Sequence, residues 1–409
     1  MTISRSKLKE GQASGGSGRP DMTMVLLISA LLVFGLIMIS SASVVMSKTV
    51  TGKDNFYFFS QLQAAGIGLV LLYIATRIDY AFWKKLATPF FILNFAMLLA
   101  VFLPGLGFSH NGATRWIHLG PLNFQPSESI KLALILFLAY WLERKGEDIQ
   151  DFHKGVIPFG VIAISVVGLV LAQPDMGTCT VLAATAGVMF FVAGARFRHV
   201  FAALGVGVLG IVALIKAAPY RMARLTVFMN PGADKSGAGY QISQALVAIG
   251  SGGFWGLGFG RSRQKFNYLP ESATDSIFAV IAEELGLIRS SIVVLTFLLF
   301  GFRGYKIAKG APDTFSRLVA VGITTWIVAQ AFINILAILS LMPLTGVPLP
   351  FISYGGTSLV MILFACGILL NISKYVDQGG TNADNRLGRR NWWSYFTGTR
   401  SSRRTSKAR

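Results

Sequence analysis

Long apolar blocks follow one another along most of this 409-residue chain, separated by short polar segments. Many blocks are roughly 17 to 25 residues long, the length that an α-helix needs to cross a hydrocarbon layer about 30 Å thick. Because the blocks are continuous and do not alternate between apolar and polar residues, they indicate helices and not a β-barrel. The predicted spans are 23–43, 60–76, 86–104, 129–142, 156–173, 177–195, 199–218, 277–302, 317–341 and 354–373. The predicted fold class is therefore an all-α polytopic membrane protein of about ten transmembrane helices, with a long outward loop between helices 7 and 8.

Composition agrees with this pattern. Hydrophobic residues make up 53% of the chain and charged residues only 13%, whereas soluble proteins carry about 25% charged residues. The predicted organisation is a disordered basic tail (1–22), a membrane domain (23–375) and a second basic tail (376–409). Ser40 to Ser43, after the first apolar block, could mark the cleavage site of a secretory signal. An uncleaved first helix explains the pattern equally well and suits the nine spans that follow.

The distribution of positive charge predicts the orientation. The chain has 37 Lys and Arg residues against 18 Asp and Glu residues, a net charge of +19. When the N-terminus is placed inside, most basic residues fall in inward segments, as the positive-inside rule requires. Both termini are therefore predicted to be cytoplasmic. Because this charge lies next to membrane spans, attraction to anionic lipid explains it more simply than binding of nucleic acid, which is not an expected partner.

Most of the unusual polar residues lie in three outward loops, which are 105–128, 219–276 and 342–354. The first contains Arg115 and ends in Pro126, which is typical of the start of a helix. Glu128 and Lys131 follow three residues apart, on one face of that helix. Two interpretations remain open: a local ion pair that anchors the helix end, or a Lys131 that faces a cavity and contacts an anion.

The turn from Gln173 to Thr178 and the long outward loop offer further candidates. Asp175 could cap the following helix or line an outward cavity. Arg221 and Arg224 lie on one helical face, an arrangement suited to gripping phosphate. The glycine-rich run 250–260 matches neither the P-loop nor the dinucleotide fingerprint, so tight backbone turns at the membrane surface are expected there.

Asp275 precedes an apolar span that also contains Glu283 and Glu284. Asp275 could be a helix N-cap or a general base. Two acids within one span require a polar interior or a water-filled cavity, and Arg289 is a candidate partner for Glu284 or another intramembrane acid. The last outward loop, 342–354, is rich in Pro and Gly and cannot be helical, so a re-entrant or rim segment is expected.

Other chemistries find no support in the sequence. It contains no metalloprotease motif, no Ser/His/Asp spacing and no Cys/His metal cluster. Cys179 and Cys366 fall in different apolar spans, so packed thiols are expected and no redox compartment is indicated.

The polar segments, taken in order from about residue 23 to 375, closely resemble the SEDS family (shape, elongation, division and sporulation) of membrane glycosyltransferases. Each piece alone is weak, but so many in a fixed order are specific. The matching pieces are Arg115–Ile117, Gln125–Glu128 with Lys131, Gln173–Thr178, Tyr220–Arg221 with Arg224, Asn230–Pro231, Gly239–Gln241, Trp255–Gly256 with Gly258, Leu269–Glu271 with Thr274–Asp275, Ile277–Ala279, Glu283–Gly286 and Pro348–Gly356.

The resemblance implies an enzyme that polymerises lipid II into peptidoglycan, with undecaprenyl-diphosphate-linked glycan as donor. Asp275 matches the essential aspartate of the family and would be the general base. A divalent cation, Mg²⁺ or Mn²⁺, could assist it, and no organic cofactor is expected. The residues expected to bind substrate are Arg115, Glu128, Lys131, Asp175, Arg221, Arg224, Glu271, Thr274 and Ser353.

The sequence is similar to the division-type FtsW branch of the family more than to the elongation-type RodA branch. This implies a class B penicillin-binding transpeptidase and divisome regulators as partners, and a place in the bacterial cytoplasmic membrane at the division septum. The alternatives are a lipid II flippase, an elongation-type polymerase and a scaffold for division proteins. Ala273 and Ser276 stand where the family often has His and Phe, so any contribution of that His is absent here.

Overall fold

The computed structural model describes residues 18–53, 55–103, 106–110, 113–119, 122–199, 205, 222, 226–230 and 237–376, and this part of the chain is mostly helical. Its α-helices are α1 (Met22–Ala42), α2 (Val44–Thr51), α3 (Phe56–Arg77), α4 (Tyr80–Ala100), α5 (Pro126–Lys145), α6 (Ile157–Ala172), α7 (Met176–Val192), α8 (Ala238–Gly252), α9 (Ile277–Lys309), α10 (Thr314–Ile338) and α11 (Gly356–Ser373). A 3-10 turn (Gly146–Gln150) and a π-helical turn (Phe152–Val156) join α5 to α6.

Seven helices in the described part of the chain are long and apolar enough to cross a membrane. They are α1, α3, α4, α6 with its π-helical turn, α9, α10 and α11. The shorter apolar helix α7 and the helix α5 coincide with two more of the predicted spans. The polytopic helical fold is therefore confirmed. The predicted span 199–218 lies almost entirely outside the described residues, so the count of ten remains a prediction.

The start of α1 and the end of α11 meet at one end of the bundle, here called the basic end. The Asp21 N–H donates to Ser373 Oγ (2.9 Å). Arg303 of α9 donates to the Asp21 carboxylate through Nε, at 2.8 Å from Oδ2, and through Nη2, at 2.7 Å. Asp21 also caps α1 by accepting from the Met24 N–H. Asp21 thus holds three helices together at this end, α1 and α9 through its carboxylate and α11 through its backbone N–H.

Arg303→Gln is expected to lower the free energy of unfolding by about 1 kcal/mol at neutral pH, because it removes charge-assisted hydrogen bonds from a partly exposed pair. Burial alone would raise the pKa of Asp21, but the bonds from Arg303 and the Met24 N–H outweigh it and hold that pKa below its ordinary value of 3.8. The contribution is therefore complete above about pH 4 and is lost as the pH falls through the lowered pKa. Thermal unfolding in detergent at a series of pH values measures it. A difference between the two forms that persists at the acid end would contradict this assignment.

Helix α10 forms the centre of the bundle, where it packs against α5, α7 and α9. Its Trp326 is fully buried. Elsewhere in the bundle, small residues allow close approach of backbones, as is common between membrane helices. An added Cβ at Gly367 of α11 would lie 2.5 Å from the Leu72 carbonyl oxygen of α3, so these two helices pack backbone to backbone.

Helix α9 is interrupted at Gly286, whose φ of 78° lies in the left-handed region. Beyond the break, the Leu287 and Ile288 N–H groups donate to the carbonyl oxygens of Gly253 (2.8 Å) and Phe254 (3.3 Å). Helix α8 therefore runs into the bundle beside the first turns of α9, and the glycine-rich run turns the chain back. The tight turns predicted for that run are confirmed.

The loop 105–128 contains a small antiparallel sheet that the sequence analysis did not predict. Its strands are β1 (Gly107–His110), β2 (Ala113–Leu119) and β3 (Leu122–Phe124), in the order β1-β2-β3. Strands β1 and β3 have only four and three residues, and β2 does not alternate between apolar and polar residues, so no strand pattern is recognisable. The sheet fixes the position of Arg115 and delivers the chain to Pro126, the first residue of α5.

Candidate functional site

The segment that carries Asp275 folds back on itself just before α9. Glu271 has a φ of 52°, and its carbonyl oxygen accepts from the N–H groups of Thr274 (3.1 Å) and Ser276 (3.0 Å). The Glu271 carboxylate accepts from the Thr274 hydroxyl (2.6 Å). Ser276 occupies the N-cap position of α9. The N-cap interpretation of Asp275 was therefore wrong: the half-buried Asp275 precedes the cap.

Ser353 and Tyr354, at the end of the last outward loop, hold this segment from the other side. The buried Ser353 hydroxyl donates to the Thr274 carbonyl oxygen (2.6 Å) and accepts from the Leu349 N–H (2.8 Å). The Tyr354 N–H donates to the Ala273 carbonyl oxygen (2.9 Å). Ser353 thus joins two loops, and its predicted contact with substrate remains a prediction.

The loop 342–354 is non-helical and packs against protein, as irregular backbone at membrane depth must. In α3, Gln61 donates from Nε2 to the Ser353 carbonyl oxygen (3.1 Å) and accepts at Oε1 from the Gly355 N–H (3.2 Å). On α1, an added Cβ at Gly35 would lie 2.2 Å from the Phe351 carbonyl oxygen. The absence of a side chain at Gly35 therefore allows the loop to pack directly against the backbone of α1.

Gly346 lies in this loop beside the Asp275 carboxylate. Its φ of 68° is in the left-handed region, which non-glycine residues adopt at a cost of about 1 kcal/mol or more. A Cβ at this position would stand 3.3 Å from Asp275 Oδ2. A side chain here therefore strains the backbone and also displaces the carboxylate.

Because Asp275 is the predicted general base, and small misplacements of a reacting group slow chemistry strongly, Gly346→Ala is expected to reduce catalytic turnover about tenfold. Gly52→Ala is a matched control: Gly52 has a φ of 67° but no atom within 4 Å of the added Cβ. Both variants carry the same backbone strain, so only the contact with Asp275 differs. Steady-state rates at equal amounts of folded protein decide the matter, and equal losses in the two variants would refute the crowding argument.

Lys131 lies in a buried network rather than at an open surface, with only 1% of its surface exposed. Its Nζ donates to Glu128 Oε1 (2.8 Å) and to Gln330 Oε1 (3.0 Å), and it lies 5.2 Å from the centre of the Trp326 ring. Gln330 donates in turn to the Pro348 carbonyl oxygen (2.9 Å). The predicted ion pair is present, and contact of Lys131 with an anion remains a prediction.

Arg115 holds the turn between α6 and α7. Its Nε donates to the Gln173 carbonyl oxygen (2.9 Å) and its Nη2 to that of Pro174. Asp175 accepts from the Thr178 N–H (3.0 Å) and caps α7, the simpler of its two predicted roles. An added Cβ at Gly177 would lie 2.7 Å from the Thr345 carbonyl oxygen, so this turn contacts the same loop as Asp275.

Glu283 and Glu284 are buried and bind the segment that follows the glycine-rich run. Glu283 accepts from the Ser262 hydroxyl and the Arg263 N–H. Glu284 Oε1 accepts from Lys265 Nζ (3.0 Å). Arg289 instead donates to a backbone carbonyl oxygen, that of Trp255. The predicted pairing of Arg289 with Glu284 was therefore wrong, and these acids meet a polar protein interior.

A family model described as cell cycle protein, which groups FtsW, RodA and SpoVE, matches residues 22–378. The chain belongs to this family. The membership confirms the resemblance predicted from the ordered motifs. Together with the apolar helices it makes the chain an integral membrane protein.

Two curated members and one solved structure show how close the likeness is. Stage V sporulation protein E of Bacillus subtilis (strain 168) is 44% identical over 87% of this chain and 97% of its own length. The probable peptidoglycan glycosyltransferase FtsW of Geobacter sp. (strain M18) is 40% identical over 86% of this chain and 96% of its own length. A chain from the structure described as "Structural coordination of polymerization and crosslinking by a peptidoglycan synthase complex" has a TM-score of 0.73 and 27% identity, over 88% of this chain and 99% of that chain.

The structure brings most of the site residues proposed for this family member to one end of the bundle, opposite the basic end. Arg221 and Arg224 lie outside the described residues. Within the described ranges, no three His, Cys, Asp or Glu side chains come together as a metal site. Three buried amides that the sequence analysis did not single out as site residues, Gln61, Gln330 and Asn334, hold the loops of the site. The sequence feature that could have identified them is an uncharged polar side chain inside an apolar span.

Proposed function

We propose that this chain is a peptidoglycan glycosyltransferase that polymerises lipid II into glycan strands on the outer face of the cytoplasmic membrane during cell division. The observation that carries the proposal is the placement of Asp275, a half-buried carboxylate in a segment that the 342–354 loop and α10 hold by hydrogen bonds. A general base needs such fixed geometry. The FtsW relatives named peptidoglycan glycosyltransferases support it.

Asp275 acts as the general base in this reaction. A sugar hydroxyl of the acceptor lipid II forms a bond from its oxygen to the anomeric carbon of the donor. The bond between that carbon and the diphosphate oxygen breaks, and the hydroxyl proton passes to the Asp275 carboxylate. Base and leaving group lie on opposite faces of the sugar, so the configuration at the anomeric carbon is inverted.

Basic residues drawn from other loops neutralise the leaving diphosphate. Arg115, Arg221 and Arg224 are assigned to this task, since arginine suits bidentate contact with phosphate oxygens. Lys131, which Glu128 compensates at 2.8 Å, is assigned to the interior of the same site. Glu271 and Thr274, which bond to each other, shape the segment around the base and lie where substrate approaches it.

Among the described residues, no three His, Cys, Asp or Glu side chains form a metal site, so the protein alone would not enclose a divalent cation. Mg²⁺ is usually held by one or two carboxylates together with substrate phosphates, so a protein cage is not required. Asp275 and Glu271, four residues apart in one segment, are the carboxylates that would hold Mg²⁺ or Mn²⁺. When bound, the ion supplies charge neutralisation for the diphosphate. Chelation followed by readdition of each metal, with glycan synthesis as readout, tests this assignment.

The partners follow from the same assignment. The solved chain with a TM-score of 0.73 comes from a structure described as a peptidoglycan synthase complex that coordinates polymerisation and crosslinking. A class B penicillin-binding transpeptidase and divisome regulators are accordingly assigned as partners. The start of α1 and the end of α11 lie at the same end of the bundle. Both termini are assigned to the cytoplasm, because the predicted inward segments are rich in Lys and Arg, as the positive-inside rule requires. The site of action is the division septum.

The test uses purified protein in liposomes that contain fluorescent lipid II, with and without a class B transpeptidase. The proposal expects glycan polymer that a muramidase degrades. Movement of labelled lipid II between leaflets without polymer in either condition would overturn the proposal and favour a flippase. Depletion in cells separates the two enzyme branches: a block in septation is expected, and loss of rod shape with normal septation would indicate the elongation type.

A further inference from the structure

Two buried amides of α10, Gln330 and Asn334, lie between Lys131 and Asp275. They are four residues apart, which places them one turn apart on one helix face. Their exposed fractions are 0% and 2%. Each reaches one of two neighbouring carbonyl oxygens in the last outward loop. Together they connect Lys131 to the backbone of Asp275 through hydrogen bonds to two consecutive residues of that loop.

Gln330 makes the hydrogen bonds on the Lys131 side of this connection. Its Oε1 accepts from Lys131 Nζ (3.0 Å) and from Trp326 Nε1 (2.8 Å), while its Nε2 donates to the Pro348 carbonyl oxygen (2.9 Å). Two donors fix the orientation of the amide, since a flipped amide would present N–H groups to two donors. Pro348 has no N–H, so its carbonyl is the backbone group by which a side chain can hold it.

Asn334 makes the hydrogen bonds on the Asp275 side. Its Nδ2 donates to the Asp275 carbonyl oxygen and to the Val347 carbonyl oxygen, both at 2.8 Å. Two acceptors again fix the orientation. Its Oδ1 is buried and has no hydrogen-bond partner among the described residues, an arrangement that is unfavourable by itself. The double contact of Nδ2 is therefore the interaction that this side chain serves.

We propose that Gln330 and Asn334 are positioning residues that fix the distance between Lys131 and Asp275. The proposal rests on the proposed function, in which both residues belong to one catalytic site. Val347 and Pro348 are consecutive, so the two amides hold one short stretch of loop at two adjacent points. A rigid helix then sets the position of that stretch, and Asn334 ties the backbone of Asp275 to it.

The chain offers a matched control in Asn371 of α11. This asparagine is also buried, donates from Nδ2 to a backbone carbonyl oxygen, that of Thr76 (2.9 Å), and has an Oδ1 with no partner among the described residues. It lies at the basic end, away from Asp275. Asn334→Leu removes two hydrogen bonds to backbone carbonyl oxygens and Asn371→Leu removes one, and only the first variant touches the site.

The first measurement is hydrogen–deuterium exchange of the full-length protein in nanodiscs. Asn334→Leu and Gln330→Met are expected to speed exchange about tenfold or more in segments 269–276 and 343–355, because these segments lose a buried anchor. Asn371→Leu is expected to leave both segments unchanged. Unchanged exchange in the α10 variants, or equal changes in all three, would overturn the proposal.

The second measurement is polymerisation of lipid II at equal amounts of folded protein. Gln330→Met and Asn334→Leu are expected to lower kcat at least tenfold with KM within about threefold, since positioning acts on the chemical step. Asn371→Leu should retain the wild-type kcat. Active wild type with unaltered kcat in both α10 variants would overturn the positioning role alone. Wild type that makes no polymer, with exchange altered as expected, would overturn the proposed function and leave the anchoring role in place.

Discussion

Replacing Asp275 by asparagine is expected to lower the rate of glycan polymerisation by about 10²- to 10⁴-fold, the usual contribution of a general base. Asparagine keeps the size of the side chain but cannot accept the hydroxyl proton. The backbone carbonyl of Asp275, which Asn334 holds, is unaffected by the change. The expected result is therefore a folded protein that binds lipid II and does not extend glycan. Initial rates in liposomes and binding of labelled lipid II measure the two properties separately.

Asp313→Asn is the control for this experiment. Asp313 caps α10 at the basic end by accepting from the Ser316 N–H (2.7 Å). Asparagine is an equally good N-cap residue, so stability and turnover should both be retained. An Asp275→Asn protein whose turnover stays within about threefold of wild type would contradict the general-base assignment. Loss of lipid II binding together with activity would assign Asp275 to substrate binding instead.

The helices could be predicted because membrane crossing leaves a strong and local signal. Runs of apolar residues set the position of α1, α10 and α11 to within a few residues, since lipid tolerates no unpaired backbone. The partner of Glu284 could not be predicted in this way. Lys265 precedes it by 19 residues, and the two meet only because α8 enters the bundle and the glycine-rich run turns back. Arg289 lies closer in sequence but on the far side of the break at Gly286.

In the candidate site, too, some features could be predicted from the local sequence and others depend on tertiary packing. Asp275 could be singled out, because a carboxylate at the mouth of an apolar helix is unusual. The small sheet that carries Arg115 could not, since its strands are short and depend on pairing with one another. The side chains that hold Asp275 in place come from α10 and from the 342–354 loop, about 60 to 80 residues away in sequence. Which of them meet is decided by tertiary packing and not by any local pattern.

Breaking the buried ion pair of Glu128 and Lys131 is expected to cause the largest loss of stability. Both side chains are almost fully buried, with exposed fractions of 3% and 1%. Lys131→Met leaves the Glu128 carboxylate without its counter-charge in the interior, which destabilises a protein by about 3–5 kcal/mol. Thermal unfolding in detergent measures this loss. Lys84→Met is the control, because Lys84 forms an ion pair of similar length (2.7 Å) with Glu143 that is partly exposed, and it should lose less than about 1 kcal/mol.

A double variant separates the structural role of Lys131 from its role in turnover. Glu128→Gln combined with Lys131→Met removes both charges and is expected to recover most of the lost stability, because no uncompensated charge remains buried. Polymerisation by this stable protein is expected to remain about tenfold or more below wild type, since Gln330 has lost the ammonium that orients it. Wild-type turnover in the double variant would show that the pair serves the fold alone. Low turnover with restored stability would instead place the Lys131 ammonium in the catalytic site, where its charge helps to set the geometry around Asp275.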